Sequence, residues 1–426
     1  MSLLSWDRPK LGGFLLPGSS SALQKDGAAA ASATAPSPLR MTIVGALLIA
    51  VGPISMSLYS PALPLLTQVF STTEEAIRAT ITVYLFGFAA AQLICGPLSD
   101  RYGRRPVVLS CLALYVLGSL IGAAAHSVPM LDLGRIVQGI GACGGMALSR
   151  VMVIDRFGGG QAARIISLMS LILSVAPAAA PIVGGALITV LSWRLLFGLM
   201  AGYGLVLVFL VWRFPETNTR RDPGAMRPAT IVINYATLLT SSAFVGRVVL
   251  TAFAVGGLYA AQSLSPFILM GRLGLSSTSF GLVSASLMGA YLVGSLTLNR
   301  LLRYIGIQRL VVVGALCVLA AGLLLGIGLP VRLGVVEVIG PLCLWLFGMA
   351  LIMPGITTGT LALFPKNAGS ASALMGSLQM AMGFIGTALS SLLTDAVTAM
   401  AIVPAAMAAI GVAAFFSLNR GRLTSA

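Results

Sequence analysis

From residue 42 to residue 418 the chain is a succession of long apolar runs, broken by short segments in which arginine and glycine collect. An α-helix of about 20 residues rises about 30 Å, the thickness of a bilayer's hydrocarbon. In that medium every backbone N–H and C=O must be bonded within the structure, which leaves helices and closed barrels. Barrel strands alternate apolar and polar residues, and these runs do not. The windows 42–63, 77–95, 107–125, 130–153, 163–191 and 195–214 predict six spanning helices. The windows 246–270, 280–301, 310–329, 335–364, 369–393 and 397–418 predict six more.

Only 9% of the residues are charged and 58% are hydrophobic, whereas a soluble domain carries about 25% charge. The formal charge of +15 would point to nucleic acid in a soluble protein, but here its distribution has another reading. With both termini in the cytoplasm, 21 of the 26 lysines and arginines fall on the inner side. Arg78, Arg194, Arg272 and Arg332 fall outside, and Arg135 lies within a span. This bias orients a multi-pass protein and removes the case for a nucleic-acid partner.

The polar stretch around Pro215-Glu216-Thr217, Arg220, Arg221 and Asp222 divides the spans into two sets of six. The expected organisation is a disordered cytoplasmic segment 1–40, a first half 41–214, a linker 215–245, a second half 246–418 and a tail 419–426. Met41 is an alternative start. Ser60-Pro61 recurs as Ser265-Pro266 and the glycine-arginine turn at Gly103 recurs at Gly306, offsets of 205 and 203 residues. These echoes predict an all-α membrane protein of twelve transmembrane helices in two pseudo-symmetric six-helix bundles.

Catalytic chemistry has no visible basis. There is one histidine, His126, and no glycine-lysine nucleotide loop; the five cysteines lack metal-ligand spacing and read as small core residues. No enzyme activity, cofactor or metal is expected.

The charges that remain are informative. In Gly96-Pro97-Leu98-Ser99-Asp100-Arg101-Tyr102-Gly103-Arg104-Arg105, Asp100 can accept from a helix N-terminus and pair with Arg104, while Gly96 and Gly103 allow a tight turn. The stretch reads either as a conformational latch, with Arg101 and Arg105 included, or as arginines that only set topology. Arg135 costs at least ~2.5 kcal/mol inside a span and so needs a partner or a wet cavity. Asp132, three residues earlier on the same helix face, offers either a structural pair or a coupling site for protons or substrate. Gly139 and Gly141 follow on the same helix. The fifth span carries Pro177 and Pro181 and then Gly184 and Gly185, a pattern of kinks and close packing. Polar or aromatic residues that could line a substrate cavity are Tyr59, Tyr84, Gln92, Tyr259, Gln262 and Gln379.

These motifs together resemble those of the major facilitator superfamily. The Gly96 to Arg105 loop resembles its signature between helices 2 and 3. The run 131–141 resembles its helix 4 signature, and 174–185 its helix 5 antiporter signature. With Ser60-Pro61-Ala62-Leu63-Pro64 and Pro215-Glu216-Thr217, the chain is similar to the Bcr/CflA group of bacterial drug exporters. The resemblance implies a monomeric inner-membrane exporter of small amphipathic drugs or metabolites, working by alternating access in exchange for protons. One departure stands against proton exchange: Ser57 occupies the place where the group commonly has an acidic residue. A proton-independent facilitator or uptake carrier for a small metabolite, anions included, is the first alternative, and a transport-inactive sensor or scaffold the second.

Overall fold

In the computed structural model, which describes residues 37–157, 159–219, 221–364 and 368–423, every regular element among the described residues is helical. α1 (Pro38–Tyr59) passes through a 3-10 turn at Ser60–Ala62 into the short α2 (Leu63–Val69), and together they make the first apolar span. Then come α3 (Glu74–Tyr102), α4 (Arg104–Ala123), α5 (Val128–Phe157), α6 (Gly159–Val190) and α7 (Arg194–Trp212). The connecting segment carries α8 (Pro228–Leu239). α9 (Ser242–Pro266) ends in a π-helical turn at Phe267–Arg272 and is followed by α10 (Ser277–Ile305) and α11 (Ile307–Val331). α12 (Val335–Leu363), α13 (Ala368–Ser391) and α14 (Ala396–Leu423) complete the fold.

Local chemistry sets the ends of these helices. Thr73 caps α3 by accepting the Ala76 N–H at 3.3 Å, with Glu74 and Glu75 in the first turn where the helix dipole favours acids. Ser276 caps α10 in the same way, accepting the Ser279 N–H at 3.1 Å. A single residue, Gly103, separates α3 from α4 at φ 108°, and Gly306 separates α10 from α11 at φ 75°. A side chain at either place would be strained, so glycine marks both breaks. The two prolines of the repeat act alike: Pro61 sits in the 3-10 turn after α1, and Pro266 ends α9 before its π-helical turn.

Eleven helical segments among the described residues are long and apolar enough to cross a membrane. The expected span 163–191 falls on α6, whose described apolar part is Ala179–Val190. Helices extend past the apolar windows, as α3 does at both ends of 77–95, because backbone hydrogen bonding continues where hydropathy has already fallen. The polar segment 215–245 is not wholly irregular either: it contains α8, which Pro228 opens and which buries Leu238 against Phe244 and Val248. The expected disordered segment 1–40 falls almost wholly outside the described residues.

The exterior is apolar and the interior holds charge. Leu117, Leu120, Phe209 and Val331 face outward, whereas Arg78, Arg135 and Gln138 are fully buried. A chain in lipid has this inverted pattern, since an outward arginine would meet hydrocarbon. α5 packs on α1, α3 and α4, while α12 packs on α10 and α11, and α9 on α13 and α14. Two seams join the early helices to the late ones, α3 against α13 and α6 against α10.

Candidate functional site

Arg135 of α5 is buried against α1 and α3. α5 can carry it there because its glycines admit neighbouring backbones: residue 139 lies against the Tyr84 carbonyl of α3 and residue 141 against α4 at Tyr115, where a Cβ would collide. The guanidinium is fully buried. It sits 4.2 Å from the Tyr84 ring centroid and 4.5 Å from that of Tyr59, so two aromatic faces take up its charge. Its Nη1 donates to Gln138 Oε1 at 2.5 Å and its Nη2 lies 3.3 Å from Met56 Sδ, while Nε has no hydrogen-bond partner. Gln138 passes the network on, its Nε2 donating to Ser119 Oγ at 2.8 Å. Tyr59 shares a 2.9 Å hydroxyl bond with Thr80, and Ser55 one of 2.7 Å with Tyr115.

The reading of Asp132 and Arg135 as a structural ion pair is not realised here: they do not meet within 4 Å. Three residues of helix put them on one side of α5, but Arg135 turns inward to the rings and amide while Asp132 stays half-buried. Asp132 Oδ1 is buried without a hydrogen-bond partner. Two unsatisfied polar atoms one turn apart inside a span, Asp132 Oδ1 and Arg135 Nε, mark this face of α5 as chemically unfinished.

At the Gly103 turn a second polar cluster assembles. Arg104 Nη1 pairs with Asp100, its Nε meets Asp155 Oδ2 of α5 at 3.0 Å, and Nη1 also donates to Ser99 Oγ at 2.6 Å. The expected acceptor at the helix N-terminus is corrected: Glu216, not Asp100, fills that role. Its carboxylate accepts the N–H groups of Arg104 at 2.9 Å and Arg105 at 3.2 Å, the first two of α4. It also accepts from the N–H groups of Thr217 and Asn218, at 2.9 and 2.8 Å. The carboxylate lies where a side chain on Gly103 would be, so the open glycine and the acid fit one another. Arg105 donates to the Trp212 carbonyl, and Arg101 lies over the Tyr102 ring at 5.1 Å. Across the α3–α13 seam the neighbour of Gly96 is Ala373.

α6 touches both sets of helices through adjacent glycines. A Cβ on Gly184 would stand 2.5 Å from the Leu58 carbonyl oxygen of α1, and Gly185 lies against the Ser277 carbonyl that opens α10. Gly281 of α10 returns the contact on the Pro181 carbonyl, where a Cβ would be 2.6 Å away. The side chain of Pro177 lies outside the described residues.

The cavity residues named from sequence divide. Tyr59 and Tyr84 join Arg135. Gln92 lies on the α3–α13 seam against Gly376, and Tyr259 of α9 meets Gly383 of α13 beside Leu85 of α3. Gln379 is buried, with Nε2 3.9 Å from Met353 Sδ, and Gln262 is half-buried one turn from Tyr259. Sequence reasoning missed Arg78, whose fully buried guanidinium crosses the seam to the Ser390 carbonyl at 3.1 Å and the Leu393 carbonyl at 3.4 Å. It also missed Gln138, Asp155 and Glu216 as partners. Arg78 could have been found as an arginine only five residues after a cap, already within a helix; nothing local distinguishes Gln138.

The model of the family described as Major Facilitator Superfamily matches residues 45–387. Multidrug resistance protein D of Escherichia coli (strain K12) is 30% identical over 357 residues, covering 82% of this chain and 87% of that protein. A bicyclomycin resistance protein homolog of Haemophilus influenzae is 27% identical over 385 residues, 88% of this chain and 94% of its own. Among solved structures, the human organic anion transporter MFSD10 (TETRAN) superposes with a TM-score of 0.68 at 18% identity, covering 90% of this chain and all of that one.

Proposed function

The chain belongs to the major facilitator superfamily, a family of membrane transporters and not enzymes, and from that premise we propose that it exports small amphipathic compounds in exchange for protons. The relatives named for drug resistance support the direction and the substrate class. In this reading twelve spans form two six-helix halves, 41–214 and 246–418, joined by the linker 215–245. They rock as a monomer in a bacterial inner membrane with both termini cytoplasmic. The α3–α13 and α6–α10 seams are the surfaces that part, and the Asp100–Arg104–Asp155 cluster capped by Glu216 is the latch at the cytoplasmic end.

The observation that carries the coupling step is the buried Arg135, held by ring faces and an amide with no carboxylate among the described residues within 4 Å. A permanent cation so placed attracts negative charge. Ionised Asp132, one turn away, is drawn toward it, and protonated Asp132 is not. Proton binding on one side and release on the other would thereby change the charge beside Tyr59 and Tyr84, where a substrate's apolar and aromatic surface is received. Tyr259, Gln262, Gln92 and Gln379, carried by α9, α3 and α13, are the further side chains that would line the substrate cavity when the seams part.

The same unpaired Arg135, with Ser57 at the acidic position of the first span, favours a second reading in which an anionic metabolite itself compensates the cation and no proton is exchanged. Transport into inside-out proteoliposomes with and without an imposed pH gradient distinguishes them. Gradient-driven accumulation that Asp132→Asn abolishes supports exchange through Asp132, and equal accumulation by that variant removes Asp132 from the mechanism. Equilibration indifferent to the gradient favours the facilitator. Arg135→Lys keeps charge but loses the planar guanidinium that stacks on both rings, and full transport by that variant would refute a specific role for Arg135.

A further inference from the structure

Cys95 of α3, Cys111 of α4 and Cys143 of α5 come from three helices, yet their sulfur atoms all lie within 4.8 Å of one another. Cys95 and Cys143 are buried and Cys111 is half-buried, in the apolar core that also holds Leu112 and Leu148. Room for the cluster exists because residue 144 has no side chain: a Cβ there would stand 2.7 Å from Cys111 Sγ and 4.0 Å from Cys95 Sγ. With separations of 16 and 32 positions along the chain, no metal-ligand spacing reveals the group.

We propose that these three thiols form a binding site for a trivalent metalloid of the arsenous or antimonous acid type. Geometry is the first support. Three sulfurs about one atom at ~2.3 Å, the bond length of zinc thiolates, stand ~4 Å apart if planar and closer if pyramidal, so the cluster needs only sub-ångström adjustment to close. Charge selects the ligand. Three thiolates carry three negative charges, and residual charge inside a span is costly. A monovalent or divalent soft cation leaves the site charged, whereas a trivalent centre leaves it neutral. Arsenous acid reacts without redox: three As–O bonds break, three As–S bonds form, and each thiol proton departs with a hydroxyl as water. A neutral acid becomes a neutral adduct, and no charge has to cross the apolar wall. The adduct ties α3, α4 and α5 together; the site needs only their packing and does not rest on the transport reading.

The test uses the full-length, reduced protein in detergent with Cys317→Ser and Cys343→Ser, so that only the three clustered thiols remain. After incubation with arsenous acid and gel filtration, elemental analysis is expected to find one arsenic per chain, with a raised Tm. X-ray absorption is expected to show three sulfur neighbours and no oxygen. Cys111→Ser, and Gly144→Ala, which keeps all three thiols, are expected to lower retention by more than about tenfold, the scale on which even outer partners of metal sites act. Failure of the three-thiol protein to retain arsenic would overturn the site, as would a two-sulfur, one-oxygen environment. Unchanged retention by Cys111→Ser would do the same. Zinc retained at equal or higher affinity would overturn the charge selection. Because the protein with all three thiols carries the stoichiometry, loss of folding in a variant leaves the proposal testable.

Discussion

Replacing Arg78 by alanine should loosen the α3–α13 seam without unfolding either helix. The guanidinium is fully buried, and it donates to the Ser390 carbonyl in the last turn of α13 and to the Leu393 carbonyl just beyond. The Ser390 carbonyl is among the ones a helix leaves unpaired at its C-terminus, and a cation there also complements the helix dipole. A hydrogen bond from a charged group contributes ~1.5–3 kcal/mol. Counting the 3.1 Å bond at that value and the longer 3.4 Å bond at only about 0.5–1 kcal/mol gives about 2–4 kcal/mol for the closed seam. At 1.4 kcal/mol per factor of ten, the closed population should fall roughly 30- to 700-fold relative to an open one. Lysine, with one compact donor group in place of the fork, should lie between. The assay is cross-linking between Phe86→Cys and Phe384→Cys, whose rings are 5.6 Å apart across the seam, in a background lacking the native cysteines. A cross-linking rate at least about tenfold lower in Arg78→Ala, with unchanged expression and monodispersity, is expected from a shift of that size. An unchanged rate would refute the assignment of Arg78 to the seam.

Glu216→Ala removes the acceptor for two N–H groups opening α4 and should cost about 2 kcal/mol, while Glu216→Gln, which keeps one acceptor oxygen, should cost about half; thermal unfolding in detergent reads the order. Gly185→Ala places a methyl against the Ser277 carbonyl and should open the α6–α10 seam at a cost of about 1–3 kcal/mol, seen as a lower transport rate at unchanged expression. The Thr398 hydroxyl and N–H, with Arg272 3.1 Å away, hold the Asp395 carboxyl below the ordinary aspartate range. Its contribution to stability is therefore complete above the unfolded value of ~3.9 and is lost as pH falls through the lower folded value. Asp395→Asn should flatten the loss of Tm below about pH 4, and an unchanged acid limb would contradict the pairing.

Legibility from sequence followed the range of the interactions. The spans were readable because hydropathy and helix length act over about 20 consecutive residues. Gly103, Gly306, Pro61 and Pro266 were readable as breaks because a left-handed φ or a missing N–H is a property of one residue. α8 was missed because 12 residues are too few to register as a span and the polar flanks of the linker hid it. Asp100 was rightly placed beside Arg104, four residues on, and wrongly given the N-terminus of α4, which goes to an acid 112 positions from Arg104.

By itself the sequence determined a multi-pass helical membrane protein, its repeat-related breaks and one charge inside a span, Arg135, that had to be explained, while it placed Arg78 only among the outer arginines. Only the tertiary structure decided how those charges are satisfied. Arg135 turns from Asp132 at three residues' distance to Tyr59, Tyr84 and Gln138, and Arg78 reaches a carbonyl 312 positions away. Three cysteines that spacing dismissed become neighbours. The physical reason is common to all: in lipid the helices form from local hydrogen bonds, but which faces meet depends on where small residues such as Gly139, Gly141 and Gly185 let backbones approach and where Gly144 leaves room for side chains.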